Sequence, residues 1–378
     1  MNKCKVCGQL LGERPLLKYK NMPAVAQHLP DKHSLQDDRG VNLMIYQCLG
    51  CGLVQLGNEP VSYYKEVIRA VAVSPEMREF RMKQFSDFVN KYALKRKKII
   101  EIGCGRGEYL SILFQTGVKA HGMEYSGDSI KQCIKNGLDV QAGFIKDENS
   151  KIEGAPFDAF FMLSFLEHLP NPKETLRGIG NNLKDGAVGL VEVPNFDMIF
   201  RKKLFSEFTT DHLLYFTKDT LETALALSGF SVVECDEVWH DYIISAVIKK
   251  KAALDMSDFY LHQEKIASEI RKYVRRLKGK KLVVWGAGHQ SLAAISLFGL
   301  ADKIKYVVDS ALFKQGKYTP TTHLPIVSPD EFFTDSVDAI IIMAGSYSDE
   351  IKRIIREESN KNIKMAILRD SGLEIVRR

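Results

Sequence analysis

The sequence predicts an α/β protein, and three observations predict it. Residues 98–113 and residues 281–294 each run from a β-branched strand through a glycine-rich turn into apolar residues at helical spacing. Such units alternate into parallel sheets covered by helices. Ahead of both stand two Cys-x-x-Cys pairs, the mark of a small metal-held module.

Cys4-Lys-Val-Cys7 and Cys48-Leu-Gly-Cys51 lie about forty residues apart, and a glycine, Gly8 or Gly52, follows each. The glycine frees backbone N–H groups to turn toward sulfur. Four thiolates in two such pairs make a closed tetrahedral Zn2+ site with no position left for water, so Cys4, Cys7, Cys48 and Cys51 are expected to be structural metal ligands. Tyr63 and Tyr64 follow on a loop that can reach an active site, although an aromatic there reads first as packing. Ser74-Pro75 is a helix start, with serine as N-cap and proline in the first turn. Met77, Phe80, Gln84, Phe85, Phe88 and Tyr92 then place a core face on that helix.

Ile99, Ile100 and Ile102 form a buried parallel strand, and Gly103, Gly105 and Gly107 follow at once. Glu101 is a charge inside that strand, where it needs a cationic partner. About twenty residues after the turn, Glu124 ends a second strand, where it can accept the two hydroxyls of a ribose. Further on, residues 129–135 read as a helix, 138–142 as a strand, 173–183 as a helix and 189–193 as a buried strand. Asn195 sits just past that strand, on the edge where open α/β sheets bind ligands, and is a candidate substrate contact. His212, in Thr209-Thr-Asp-His212, is the candidate base, because a histidine titrates near neutral pH; His168 is the second candidate. Residues 232–235 and 243–249 complete the sheet as antiparallel strands, and Cys104, Cys133 and Cys235 read as packing. Residues 252–278 read as a charged amphipathic connector helix.

The motif Glu101-Ile-Gly-Cys-Gly-Arg-Gly107 resembles the first motif of class I S-adenosylmethionine-dependent methyltransferases, and Phe157-Asp-Ala-Phe-Phe-Met-Leu-Ser164 resembles their fourth strand. The resemblance implies a class I Rossmann-like sheet with the cofactor held by Glu101, Gly103, Gly105, Gly107, Glu124, Tyr125 and Ser164. Taken with the cysteine module and a C-terminal Rossmann-like α/β domain, the order of parts is similar to that of the sugar C-methyltransferases, which methylate a carbon next to a ketone on a nucleotide-linked hexose. That implies modules at residues 1–73 (zinc), 74–250 (methyltransferase), 251–278 (connector) and 279–378 (Rossmann-like). It also makes Gly286, Ala287, Gly288 and His289 candidate contacts to a nucleotide diphosphate. Read alone, Gly286-Ala-Gly288 with Asp309 suggests a nicotinamide site, but Ser291 replaces the third glycine of that fingerprint. The catalytic segment departs from the family's Tyr-x-Glu-His: the histidine is kept, Asp211 stands for the longer acid, and the tyrosine is missing. Residues 70–74 also lack the phenol that the family places there. Such groups help to stabilise an enolate, so the expected acceptor is a hydroxyl or a carbon next to a ketone, deprotonated by His212 with Asp211 beside it.

The net charge of +6 is spread without a basic block, which suits an anionic small substrate and speaks against nucleic acid. No apolar run has the length of a membrane span and no signal peptide is visible, so a cytoplasmic protein is expected, its few paired cysteines suiting a reducing compartment. Two other functions fit the same outline: a binding protein on an inactive methyltransferase fold, and a nicotinamide oxidoreductase.

Overall fold

The computed structural model describes residues 3–27, 29–66, 73–359 and 362–377. Most of the phenol-free stretch before the first helix lies outside them. The chain forms two compact units, Met1–Ala253 and Leu254–Arg378.

In the first unit β1 (Leu17–Met22), β2 (Val41–Gln47) and β3 (Val54–Leu56) form an antiparallel sheet. The cysteine module and the methyltransferase region, expected as separate modules, share one unit. A strand from residues 214–215 completes the N-terminal sheet beside Val54 and Gln55, and one apolar cluster runs from Leu43 and Ile45 to Phe196 and Phe208. The large sheet follows through α1 (Pro75–Lys91), β4 (Lys98–Ile102), α2 (Glu108–Gln115), β5 (Lys119–Glu124), α3 (Gly127–Lys135), β6 (Val140–Ala142), β7 (Phe157–Leu163), α4 (Pro172–Asn181) and β8 (Leu183–Pro194). The chain goes on through α5 (Phe196–Arg201), β9 (Leu214–Tyr215) in the N-terminal sheet and α6 (Lys218–Leu227), and the large sheet closes with β10 (Phe230–Val238) and β11 (Ile243–Lys250). The seven strands lie in the order β10-β11-β8-β7-β4-β5-β6, parallel from β8 to β6, with β10 and β11 antiparallel. The connection reverses between β4 and β7, which opens a crevice at their carboxyl ends.

Helix α1 does more than pack. Ser74 caps it, its hydroxyl accepting the Met77 N–H at 3.1 Å. Its fully buried Arg81 meets Glu192 of β8 at 2.5 Å and Gln84 at 2.7 Å, and lies over the Tyr109 ring at 4.6 Å. The paired charges fix α1 against the sheet, and removing either partner would strand the other in the core.

The second unit comprises α7 (Ser257–Arg276), β12 (Leu282–Trp285), α8 (His289–Leu297), β13 (Ile304–Val308), β14 (Ile326–Val327), α9 (Pro329–Thr334), β15 (Ala339–Ile342), α10 (Ser348–Glu358), β16 (Lys364–Arg369) and β17 (Gly372–Ile375). Its sheet runs β14-β13-β12-β15-β16-β17, parallel except for the last strand. The expected connector is part of this unit. Ile270, Tyr273 and Leu277 of that segment are buried in the core with Leu282 and Ile341, because α7 is apolar along one side and needs a sheet face to cover it.

Candidate active site and thiol cluster

The turn after β4 needs its glycines. Gly103 and Gly107 have φ of 70° and 83°; a Cβ would lie 2.8 Å from the Phe165 ring at the first and 2.4 Å from Leu138 at the second. Gly105 is open, with nothing nearer than 4.0 Å to a Cβ there. Glu124, at the end of β5, is buried. Its Oε2 accepts the Gly105 N–H at 2.9 Å, and its Oε1 accepts the N–H groups of Tyr125 at 2.9 Å and Ser126 at 2.8 Å. Burial raises its pKa, and the three N–H groups only partly offset that. A carboxylate has about four acceptor positions, so Glu124 keeps room for a hydroxyl. Gly103, Glu124, Tyr125, Phe144 and Phe165 line a narrow cleft, with the Lys65 ammonium 5.2 Å from the Tyr125 ring and 5.3 Å from Phe144. Glu101 is buried in β4 as expected, and Ser164 stands exposed at the end of β7 with φ of 53°.

Beyond Phe165 the chain makes a short turn, Leu166–His168, that the segment 209–213 joins. The Leu213 N–H donates to the Glu167 carbonyl at 2.9 Å, and Tyr215 Oη accepts the Thr209 N–H at 3.0 Å. These bonds bring both candidate histidines together, with ring centroids 4.8 Å apart. His168 Nδ1 lies 2.8 Å from the Asp211 carbonyl oxygen. Burial, then His168, pushes His212 down to about 3; burial lowers His168, so both rings are neutral near pH 7.

Asp211 is also buried, and its Oδ1 accepts the Tyr63 hydroxyl at 2.7 Å. Burial and then Asp211 raise the phenol to about 12. A phenol therefore reaches this site from a residue that reads as packing in the sequence. Glu167 was missed: burial pushes it up to about 8. The pair Glu167-His168 was the available signal.

Three expected contacts need correction. Asn195 is fully buried: its Oδ1 caps α5 at the Met198 N–H, and its Nδ2 donates to the Asp241 carbonyl at 2.8 Å. Both ends are used within the protein, so it is a helix cap and not a substrate contact. In the second unit the N–H groups of Gly286 and Ala287 are taken by the Val308 carbonyl and by Asp309 Oδ2, at 2.8 Å each, which leaves only Gly288 and His289 exposed among the four expected phosphate contacts.

The four N-terminal thiols converge as their spacing requires. Cys4 Sγ lies 3.5 Å from Cys51 Sγ and Cys7 Sγ 3.5 Å from Cys48 Sγ, and all four lie within 4.8 Å of one another. Four sulfurs about 2.3 Å from one tetrahedral ion stand about 3.8 Å apart, so the set fits zinc. Gly8 and Gly52 share a φ of 81°, and each donates to the carbonyl of the first cysteine of its pair.

Comparison with known proteins agrees with the sheet order and the glycine turn. A family described as a methyltransferase domain matches residues 77–235, and one described as a C-methyltransferase C-terminal domain matches residues 246–367. The central fold is that of a class I methyltransferase. The whole chain is similar to the C-methyltransferase NovU of Streptomyces niveus, 21% identical over 93% of this chain and 91% of that protein. A ubiquinone biosynthesis O-methyltransferase of Chromobacterium violaceum is 27% identical over 26% of this chain and 46% of its own length. An S-adenosylmethionine-dependent methyltransferase structure from Clostridium acetobutylicum aligns with 50% of this chain and 96% of its own, at 12% identity and a TM-score of 0.38. The intact glycine turn and Glu124 fit S-adenosylmethionine, the cofactor that this fold implies. No helix among the described residues is long and apolar enough to cross a membrane.

Proposed function

We propose that this methyltransferase acts on a carbon next to a ketone of a nucleotide-linked or otherwise phosphorylated sugar, with His212 as the base. The observation that carries the reading is the Tyr63–Asp211 bond of 2.7 Å, which brings a phenol to the acid next to His212, where that segment of the sequence has none. The resemblance of the chain to a C-methyltransferase along nearly its whole length supports the carbon acceptor over the hydroxyl, both of which the sequence left open. S-adenosylmethionine, when bound, supplies a methyl group on a sulfonium leaving group. His212 takes the proton from the carbon next to the ketone, and the electron pair left there is the nucleophile. Tyr63 holds Asp211, and the Asp211 carbonyl holds His168, so the segment carrying His212 stays in place while the proton moves. Within the second unit, Gly288 and His289 remain the candidate contacts for the anionic nucleotide. Zn2+ on Cys4, Cys7, Cys48 and Cys51 has a structural role, tying the two knuckles together.

His212→Ala should leave cofactor affinity unchanged and lower turnover by about 10²–10⁴. In deuterated water a 4-keto nucleotide sugar should exchange its proton next to the ketone when mixed with the wild type, and not with His212→Ala. Methyl transfer to a hydroxyl with no such exchange would overturn the carbon reading. Protein purified without added metal should carry one zinc; less than half an equivalent would overturn that assignment.

A further inference from the structure

The neighbourhood of the two histidines holds a feature that proton transfer alone does not use. A carbonyl oxygen can only accept, so the 2.8 Å contact to the Asp211 carbonyl places a hydrogen on His168 Nδ1. The neutral ring then carries its lone pair on Nε2. That lone pair faces Glu167 Oε1 at 3.8 Å, too long for a hydrogen bond. Among the described residues Glu167 Oε2 is buried with no hydrogen-bond partner, and the Glu167 side chain is 1% exposed. Among the described residues no lysine or arginine pairs with Glu167. One ring nitrogen of His212 completes the group, all three ligand atoms lying within 4.8 Å of one another. Three potential ligand atoms therefore converge on one point where the buried Glu167 Oε2 finds no partner, which is costly unless a positive centre or a proton sits there.

We propose that Glu167, His168 and His212 form a second metal site, for a divalent cation that takes nitrogen and oxygen ligands. Two imidazoles and a carboxylate suit Mn2+, Fe2+ or Zn2+, and the thiolate cluster differs from this site in offering only sulfur. The bond from His168 Nδ1–H to a backbone carbonyl is the outer contact that metal-bound histidines usually have, and it aims Nε2 inward. Bonds of about 2.0–2.2 Å require the three atoms to draw in by roughly 1 Å. His212 is only partly buried, so its side of the site gives an ion a way in and leaves positions for a substrate oxygen. A ketone or hydroxyl oxygen placed there would be polarised by the ion as a Lewis acid. With an ion bound His212 is a ligand; without one it keeps its lone pair for a proton. The site stands on geometry and not on the nature of the acceptor.

Manganese binding tests it without turnover, so a failure here leaves the base reading standing. The full chain, with its thiolates loaded with zinc, is titrated with Mn2+ while electron paramagnetic resonance follows the free ion. The wild type should bind one equivalent, and E167Q and H168A should bind at least about tenfold more weakly while keeping their affinity for S-adenosylmethionine. That retained affinity separates loss of a ligand from loss of fold. No saturable binding at millimolar Mn2+ would overturn the site. So would equal binding in both variants, or binding that is lost only in Cys48→Ser.

Discussion

Residues 98–124 and residues 281–309 build the same strand, turn, helix and second strand, and each ends in a carboxylate aimed back at its turn. The two carboxylates are used differently. Glu124 accepts three backbone N–H groups and, among the described residues, no side-chain cation, so burial raises its pKa. Asp309 accepts the N–H groups of Ala287 and Ala311 at 2.8 and 2.9 Å and the Lys314 ammonium at 2.9 Å. Burial raises Asp309, but Lys314 and the N–H groups outweigh it, and the net shift is downward. The first carboxylate retains acceptor capacity for a ribose; the second is neutralised and holds its own loop together. A shared outline of strand and glycine turn thus says little about the ligand, and the partner of the acid says much more.

Changing the acids should separate the two turns most strongly. Glu124→Ala should weaken S-adenosylmethionine binding by about one to two orders of magnitude, since hydrogen bonds to a charged group contribute about 1.5–3 kcal/mol. Asp309→Asn should leave that affinity unchanged. Equal losses in the two variants would erase the distinction.

Acid should sharpen it. Asp309 contributes stability that is fully present above the ordinary aspartate pKa of about 3.9 and is lost as pH falls through its lower folded value. Asp309→Asn should therefore be less stable than the wild type at neutral pH, with the gap narrowing below about pH 4 in thermal melts of the full chain. Glu124 has the opposite sign: its raised pKa makes the ionised form a burden on the folded state, relieved on acidification. Cofactor affinity should accordingly begin to fall at a higher pH than an ordinary glutamate, near 4.3, would give.

The smallest effect is expected at Gly288. A Cβ there meets nothing within 4 Å and its φ is −85°, so Gly288→Ala should change stability by less than about 0.5 kcal/mol. A large loss would mean that this turn is constrained like the first.

The first glycine turn, Glu124 and the thiol pairs were legible because each is a local pattern whose spacing fixes its geometry. Tyr63 and Asp211 were not, since 148 residues separate them and nothing near either residue announces the other. Asn195 was misread because a strand end looks the same in sequence whether its side chain meets a ligand or caps the next helix. Residues 252–278 read as a connector because charge marks the exposed side of α7, while the sheet that covers Ile270 and Tyr273 comes later in the chain. Glu167 was passed over because a carboxylate beside a histidine is ordinary until burial removes its partners.

Calorimetric titration of the intact protein with S-adenosylmethionine, and separately with NADH, tests the central claim most directly. One equivalent of S-adenosylmethionine should bind, with an affinity that depends on Glu124, and NADH should give no saturable heat. NADH binding that disappears in Asp309→Asn, or S-adenosylmethionine binding indifferent to Glu124→Ala, would contradict the account.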